Sequence, residues 1–197
     1  MASTSTEQRL PGRPRDLRID EALLRCAGEV MVERGYPATT ISEIARRAGV
    51  GAPAIYRRWP NKAAIALDLF AEAMQEAPLP ETGSVRKDLT EFTRLRIRQW
   101  RAPLQNQVVL PLMLEALIDT DIRDAINARV SLYRAPLYER FRTWIAEGKL
   151  RPDTDPTRML DLLLGSIVMP LLFAHPLLRE SDAEAIVDQI LDGFATR

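Results

Sequence analysis

The chain has 197 residues, 46% of them hydrophobic and 27% charged, the composition of an ordinary water-soluble domain. A single cysteine, Cys26, and a single histidine, His175, exclude a disulfide framework, a zinc finger and any multi-Cys/His metal site. The 27 basic and 27 acidic residues cancel overall, yet residues 1–62 hold eleven basic against seven acidic groups, so the first third is the part suited to a polyanion.

Residues 1–15 combine Ser, Thr, Pro, Gly and Arg without an apolar period and are expected to form a disordered basic arm rather than a secretory leader. From Leu17 the apolar residues Leu23, Ala27, Val30 and Met31 recur at three- and four-residue steps, which predicts a helix ending at Gly35. Thr40-Ile41-Ser42-Glu43 is a capping-box pattern, with Thr40 as cap and Glu43 reaching back. The short helix it opens is broken by Gly49-Val50-Gly51, and a second short segment, Ala52–Trp59, ends at Pro60. Asn61 caps a longer helix through about Ala77, and Pro78–Gly83 is a linker. The chain thus divides into an arm, 1–15, a head, 16–78, and a body, 79–197.

In the body, Ser84 caps a helix to about Arg101, and Leu104–Ile118 reads as an apolar helix with Pro111 inside. Asp119–Glu147 is long and amphipathic; Pro136 should kink or split it, and Gly148 ends it. Asp155-Pro156 opens Thr157–Ala174, and Ser181-Asp182-Ala183-Glu184 is a second capping box for a last helix through Phe194. The lipid-like run Leu162–Leu178 is 17 residues long and holds Pro170 and Pro176, short of the roughly 20 apolar residues of a spanning helix. No membrane partner is expected. With no strand pattern, the fold class is all-α, about nine helices.

Function concentrates in Ile41–Ile55. A helix-turn-helix requires a small residue midway along its first helix, a glycine in the turn and a branched apolar residue locking the second helix onto the first. Ala45, Gly49 and Ile55 supply all three, and Ile44 and Val50 fill the remaining apolar slots. Around them stand Gly35-Tyr36, Thr39-Thr40, Ile41-Ser42-Glu43-Ile44-Ala45, Ala48-Gly49-Val50 and Tyr56-Arg57-Arg58-Trp59-Pro60-Asn61-Lys62. Over residues 17–70 this resembles the TetR family of transcriptional regulators.

The resemblance implies that Thr40, Tyr56 and Lys62 contact the DNA backbone, which positions the protein without reading sequence. It also implies a base-reading face of Ala52, Pro53, Ala54 and Arg57, with Arg57 suited to a bidentate guanine contact. Gly51-Ala52 stands where the family commonly has Ser-Lys, so the reading face is unusually apolar. Arg13 and Arg15 in the arm suit an A·T-rich minor groove. The family further implies a cytoplasmic, nucleoid-associated homodimer joined through its last two helices, a repressor of an inverted-repeat operator.

A pocket for a small, largely apolar effector is expected in the body, lined by Trp100, Leu110, Met113, Leu114, Tyr133 and Tyr138. Phe141, Met159, Leu163, Met169 and Phe173 complete the expected lining, because methionine and aromatic walls adapt to apolar molecules. No cofactor is implied, and His175 beside an apolar run offers no nucleophile–base arrangement for an enzyme. The alternative reading is a helical ligand-binding or assembly protein whose DNA head no longer functions, since nonspecific DNA affinity rests on basic groups.

Overall fold

Capping side chains start most of the helices in the structure, a computed structural model that describes residues 17–75, 79–173, 176 and 178–194. Arg13, Arg15 and His175 lie outside the described residues. The α-helices are α1 (Leu17–Arg34), α2 (Ile41–Arg47), α3 (Ala52–Tyr56), α4 (Lys62–Gln75) and α5 (Val85–Trp100). They continue with α6 (Leu110–Glu115), α7 (Thr120–Ala146), α8 (Pro156–Leu172) and α9 (Ala183–Phe194), and the described residues contain no strand. Asn61 Oδ1 accepts the Ala64 N–H at 2.9 Å, Asp119 caps α7, and Asp155 with Pro156 opens α8 as expected. Each satisfies N–H groups that the first turn of a helix leaves without partners.

Three local expectations are corrected. The apolar segment after Pro103 begins as a π-helical turn, Gln105–Val109, in which the Leu110 N–H reaches back to the Gln105 carbonyl, and α6 follows. Pro111 has no N–H to give the Gln107 carbonyl, and that carbonyl instead accepts the Tyr36 N–H at 2.8 Å. Pro136 does not split α7, which runs unbroken through it. Its turn faces solvent, with Leu132 75% exposed, so water can satisfy the carbonyl that proline leaves bare. The last helix is preceded by a 3-10 turn, Glu180–Asp182, and Asp182 rather than Ser181 closes it by accepting the Arg179 N–H at 2.6 Å.

The head packs α1, α2, α3 and α4 around Leu23, Val30, Met31, Ile44, Ile55, Ile65 and Leu69. This core does not stop at the linker: Val108, Leu112 and Ile126 from the body complete it. A second core joins α5, α7, α8 and α9 through Leu89, Phe92, Phe141, Trp144, Met159 and Leu163. A third, with Phe70, Met74, Ile97, Trp100 and Ile167, lies between them. The linker is tied down by the buried Asp88, whose Oδ1 accepts from the Thr82 N–H at 2.8 Å and the Thr82 hydroxyl at 2.5 Å.

Candidate nucleic-acid interface and ligand cavity

At the start of α2, Thr40 has extended backbone (φ −121°, ψ 153°) and its Oγ1 accepts the Glu43 N–H at 3.2 Å. Accepting leaves the hydroxyl proton of this exposed threonine able to donate outward. The reciprocal half of the expected capping box is not made. The Glu43 carboxylate is bonded by Arg46 at 2.6 Å and by Arg34 at 3.2 Å. These cations hold its pKa below the ordinary glutamate value, the Arg46 hydrogen bond contributing most.

The turn between α2 and α3 is a Schellman motif. Val50 N–H bonds the Ala45 carbonyl at 3.0 Å and Gly49 N–H bonds the Arg46 carbonyl at 3.3 Å, with Gly49 at φ +66°. This sets the angle at which α3 leaves α2. Gly51 opens α3 without a side-chain cap, and Pro53 sits in its first turn, where a missing N–H costs nothing.

Ile55 is fully buried and turns the opposite side of α3 outward. Pro53 and Arg57 are exposed, Tyr56 is 54% exposed, and Ala52 and Ala54 are half-buried. Arg57 lies one residue beyond α3, as its C-cap; its N–H bonds the Pro53 carbonyl at 3.2 Å, and its side chain makes no hydrogen bond or ion pair with the described residues. The structure therefore brings Ala52, Pro53, Ala54, Tyr56 and Arg57 onto one short helix and its end.

Two polar anchors fix that helix, and neither is visible in local sequence patterns. Arg58 pairs through Nε with Asp20 of α1 and donates from Nη1 to the Ala54 carbonyl at 2.9 Å. Trp59 Nε1 donates to Asp68 Oδ2 at 2.8 Å, and Arg129 of α7 pairs with the other oxygen of Asp68. Lys62 Nζ donates to the Tyr36 carbonyl at 3.1 Å and the Pro37 carbonyl at 3.0 Å, and lies 4.5 Å from the centre of the Tyr36 ring. An ammonium has three donors, so one remains for an outside oxygen. Tyr36 itself is buried, and that burial, with the negative charges of Glu115 and Asp119 nearby, pushes its pKa up. Cys26 of α1 is half-buried, and burial raises its thiol pKa.

A partly open cavity of about 380 Å³ lies between α4 and the helices of the body. Of the residues expected to line an effector pocket, Trp100, Met113 and Tyr133 stand at this cavity. Its other walls are Phe70 and Met74 of α4, Arg96 of α5, Val130 and Arg134 of α7, and Asp161, Leu164, Gly165 and Val168 of α8. Phe141, Met159 and Leu163 are instead fully buried in the second core, Phe141 stacked on Trp144 with ring centres 5.6 Å apart. Tyr138 packs half-buried against the same core, and Leu110 is half-buried outside the lining. Leu114, Met169 and Phe173 are 49%, 50% and 62% exposed and stand outside the cavity.

Helical spacing marks all these residues as apolar-facing but does not say which of several neighbours each one meets. Arg96 was hidden for the same reason. It is wholly buried, its guanidinium carbon 4.8 Å from the ring centres of both Phe92 and Tyr133, and it donates to Gln99 Oε1 at 2.6 Å. Burial lowers its pKa and pushes that of Tyr133 up to about 12.

Leu162, Met169, Leu172 and Phe173 form an exposed apolar stripe at helical spacing along α8 and its end. Among the described residues no helix is long and apolar enough to cross a membrane.

Comparison with known proteins agrees with this geometry. Residues 23–69 match the family of bacterial regulatory proteins, tetR family, and residues 79–190 match the tetracyclin repressor-like C-terminal domain. The uncharacterized HTH-type transcriptional regulator YdeS of Bacillus subtilis (strain 168) is 30% identical over 188 residues, 92% of each chain. The solved TetR family transcription regulator SCO0332 is 29% identical, with a TM-score of 0.75 over 89% of this chain and 98% of that one. The regulator FadR from Bacillus subtilis, solved in complex with stearoyl-CoA, shares the fold at 19% identity, with a TM-score of 0.72 over 88% of this chain and 98% of its own.

Proposed function

As a member of the tetR family of bacterial regulatory proteins this chain is a helix-turn-helix transcriptional regulator, and from that premise we propose that it is a homodimeric repressor, released from a palindromic operator by a small, largely apolar effector. The observation that carries the DNA-binding part is the outer side of α3. Pro53, Tyr56 and Arg57 stand exposed on a helix whose inner side is locked by the buried Ile55 and by Arg58.

In this reading Thr40, Tyr56 and Lys62 take phosphate oxygens. Arg57 reads a guanine, and Ala52, Pro53 and Ala54 pack against thymine methyl groups. Arg13 and Arg15 of the arm add minor-groove contacts. Two heads spaced about 34 Å apart reach successive major grooves, which requires a dimer. The apolar stripe of Leu162, Met169, Leu172 and Phe173 on α8 favours pairing through α8 and α9, since such a stripe seeks burial. The place of work is the cytoplasm, at the nucleoid.

The cavity favours control by a ligand. It is bounded by α4, which ends the head, and by α5, α6, α7 and α8 of the body. A molecule that binds better to one spacing of the two heads lowers affinity for an operator that demands another. FadR, a protein of the same fold, was solved in complex with stearoyl-CoA, an example of an apolar ligand held by this architecture.

Selection of bound duplexes from a random pool, with affinity followed against salt, tests the proposal. An enriched inverted repeat and a steep negative salt slope are expected. The Tyr56→Ala, Lys62→Ala double variant should remain dimeric and lose DNA. No enrichment above nonspecific duplex would instead favour a ligand-binding protein with a lapsed head.

A further inference from the structure

The chemistry of the cavity narrows what it would hold; this step rests on the reading of the cavity as the effector site. Its volume of about 380 Å³ is near the small end of ligand sites, which run from roughly 300 to 1,000 Å³. The aromatic side chains of Phe70, Trp100 and Tyr133 come from three different helices, α4, α5 and α7. Aromatic walls of this kind favour a flat ring by offset or edge-on packing.

On the α8 side the wall at Gly165 is bare backbone. A Cβ built there would meet no heavy atom within 4 Å, and the glycine has no left-handed backbone that would demand it. A glycine weakens a helix interior relative to alanine, so here its lack of a side chain leaves room at the cavity and contributes nothing to α8 itself.

The polar part of the lining is confined to Arg96, Tyr133, Arg134 and Asp161. Arg134 Nη1 is 2.9 Å from Asp161 Oδ1 and 3.5 Å from the Tyr138 hydroxyl. Arg134 Nε is buried and has no hydrogen-bond partner among the described residues. A guanidinium only donates, so what it lacks is an acceptor oxygen. An amine brings no acceptor for Nε, and with Arg96 and Arg134 against Asp161 alone the lining opposes a further cation. A hydroxyl, carbonyl or carboxylate oxygen supplies the acceptor.

We infer that the cavity takes a compact, ring-bearing molecule with one acceptor oxygen and no amine, its ring against the α8 backbone at Gly165 and its oxygen at Arg134. A long acyl thioester does not fit this description, because its chain outgrows a volume of about 380 Å³.

Calorimetric titration of the full-length protein with 1-naphthol, 1-naphthylmethylamine and octadecanoyl-coenzyme A tests the inference. 1-Naphthol binds at one site per chain, and the amine binds at least about tenfold more weakly, the cost of a charged donor left unmet. Octadecanoyl-coenzyme A does not displace the naphthol. Gly165→Leu weakens naphthol binding at least about tenfold by filling the space, Gly165→Ala weakens it less, and neither lowers the thermal midpoint, because both side chains enter open volume. Arg134→Met costs about tenfold as well.

Absence of naphthol binding, an unchanged affinity in Gly165→Leu or Arg134→Met, or displacement by the acyl thioester would overturn the inference. So would a lowered midpoint in both glycine variants, or a changed molar mass by light scattering, which would make position 165 a packing or subunit contact. Operator affinity measured in parallel separates this from the broader reading. Naphthol held in the cavity with no change in DNA affinity keeps the ligand class and refutes effector control.

Discussion

Replacing Lys62 by methionine separates two roles that the structure gives one side chain. The stem keeps its volume, while the ammonium that donates to the Tyr36 and Pro37 carbonyls at 3.1 and 3.0 Å and covers the Tyr36 ring at 4.5 Å is lost. A hydrogen bond from a charged group contributes about 1.5–3 kcal/mol when well buried, and an exposed cation–π contact about 0.5–1 kcal/mol. Lys62 is only half-buried, and its two bonds share one charge, so the low end applies and the expected loss is about 2 kcal/mol. For a chain of this size that lowers the melting temperature by about 4–8 °C. If the third donor also meets a phosphate, the slope of log affinity against log salt falls by about 0.9 per chain. Urea denaturation and DNA titrations at several salt concentrations read the two effects independently. A stability change below about 0.5 kcal/mol, the range of an ordinary surface substitution, would refute the staple; an unchanged salt slope would refute the phosphate contact.

Three further outcomes are expected. Gly49→Ala places a Cβ at φ +66°, where no atom crowds it within 4 Å; the loss of about 1–2 kcal/mol is backbone strain alone, and a denaturation midpoint equal to wild type would contradict the turn geometry. Trp59→Phe and Arg129→Met each remove one partner of Asp68, and a double-mutant cycle in denaturant should show a coupling of about 0.5–1 kcal/mol, whereas strict additivity would mean that Asp68 does not bridge head and body. Arg47 and Arg46 hold the pKa values of Glu33 and Glu43 below the ordinary 4.5, so what these carboxylates contribute is present above that pH and is lost as the pH falls through their lower folded values. Between pH 4.5 and lower values the wild-type melting temperature should fall more steeply than that of a Glu33→Gln, Glu43→Gln variant, with the difference shrinking in high salt because Glu33 is exposed and Glu43 only half-buried; parallel curves would refute the assignment.

The head was legible because its signals are local. Thr40 caps α2, Gly49 takes the left-handed turn, and Ile55 is buried beneath α3, all within a span of sixteen residues from 40 to 55. Each depends on backbone conformation and spacing that neighbouring residues specify among themselves. The partners of those residues were not legible in the same way. Arg58 meets Asp20 across 38 positions and Arg129 meets Asp68 across 61, and no period or cap announces such pairs. Glu43 shows the limit even at close range, since the pattern asked it to reach back to Thr40 and two arginines took its carboxylate instead.

For the body, helix count, order and most of the starting caps follow from the order of residues along the chain, because capping and apolar periodicity act within a few residues of each other. Tertiary structure alone decided which apolar residues became core and which became cavity. Phe141, Met159 and Leu163 carry the same kind of side chain as Trp100, Met113 and Tyr133, yet the first three close the second core and the last three line open space. It also decided the use of Pro111, which any sequence reader expects to disturb a helix. Only the packing of α6 against the head turns the carbonyl it leaves bare into an acceptor for Tyr36. Close packing assigns a neighbour to every side chain by position in space, and a linear pattern holds only the position along the chain.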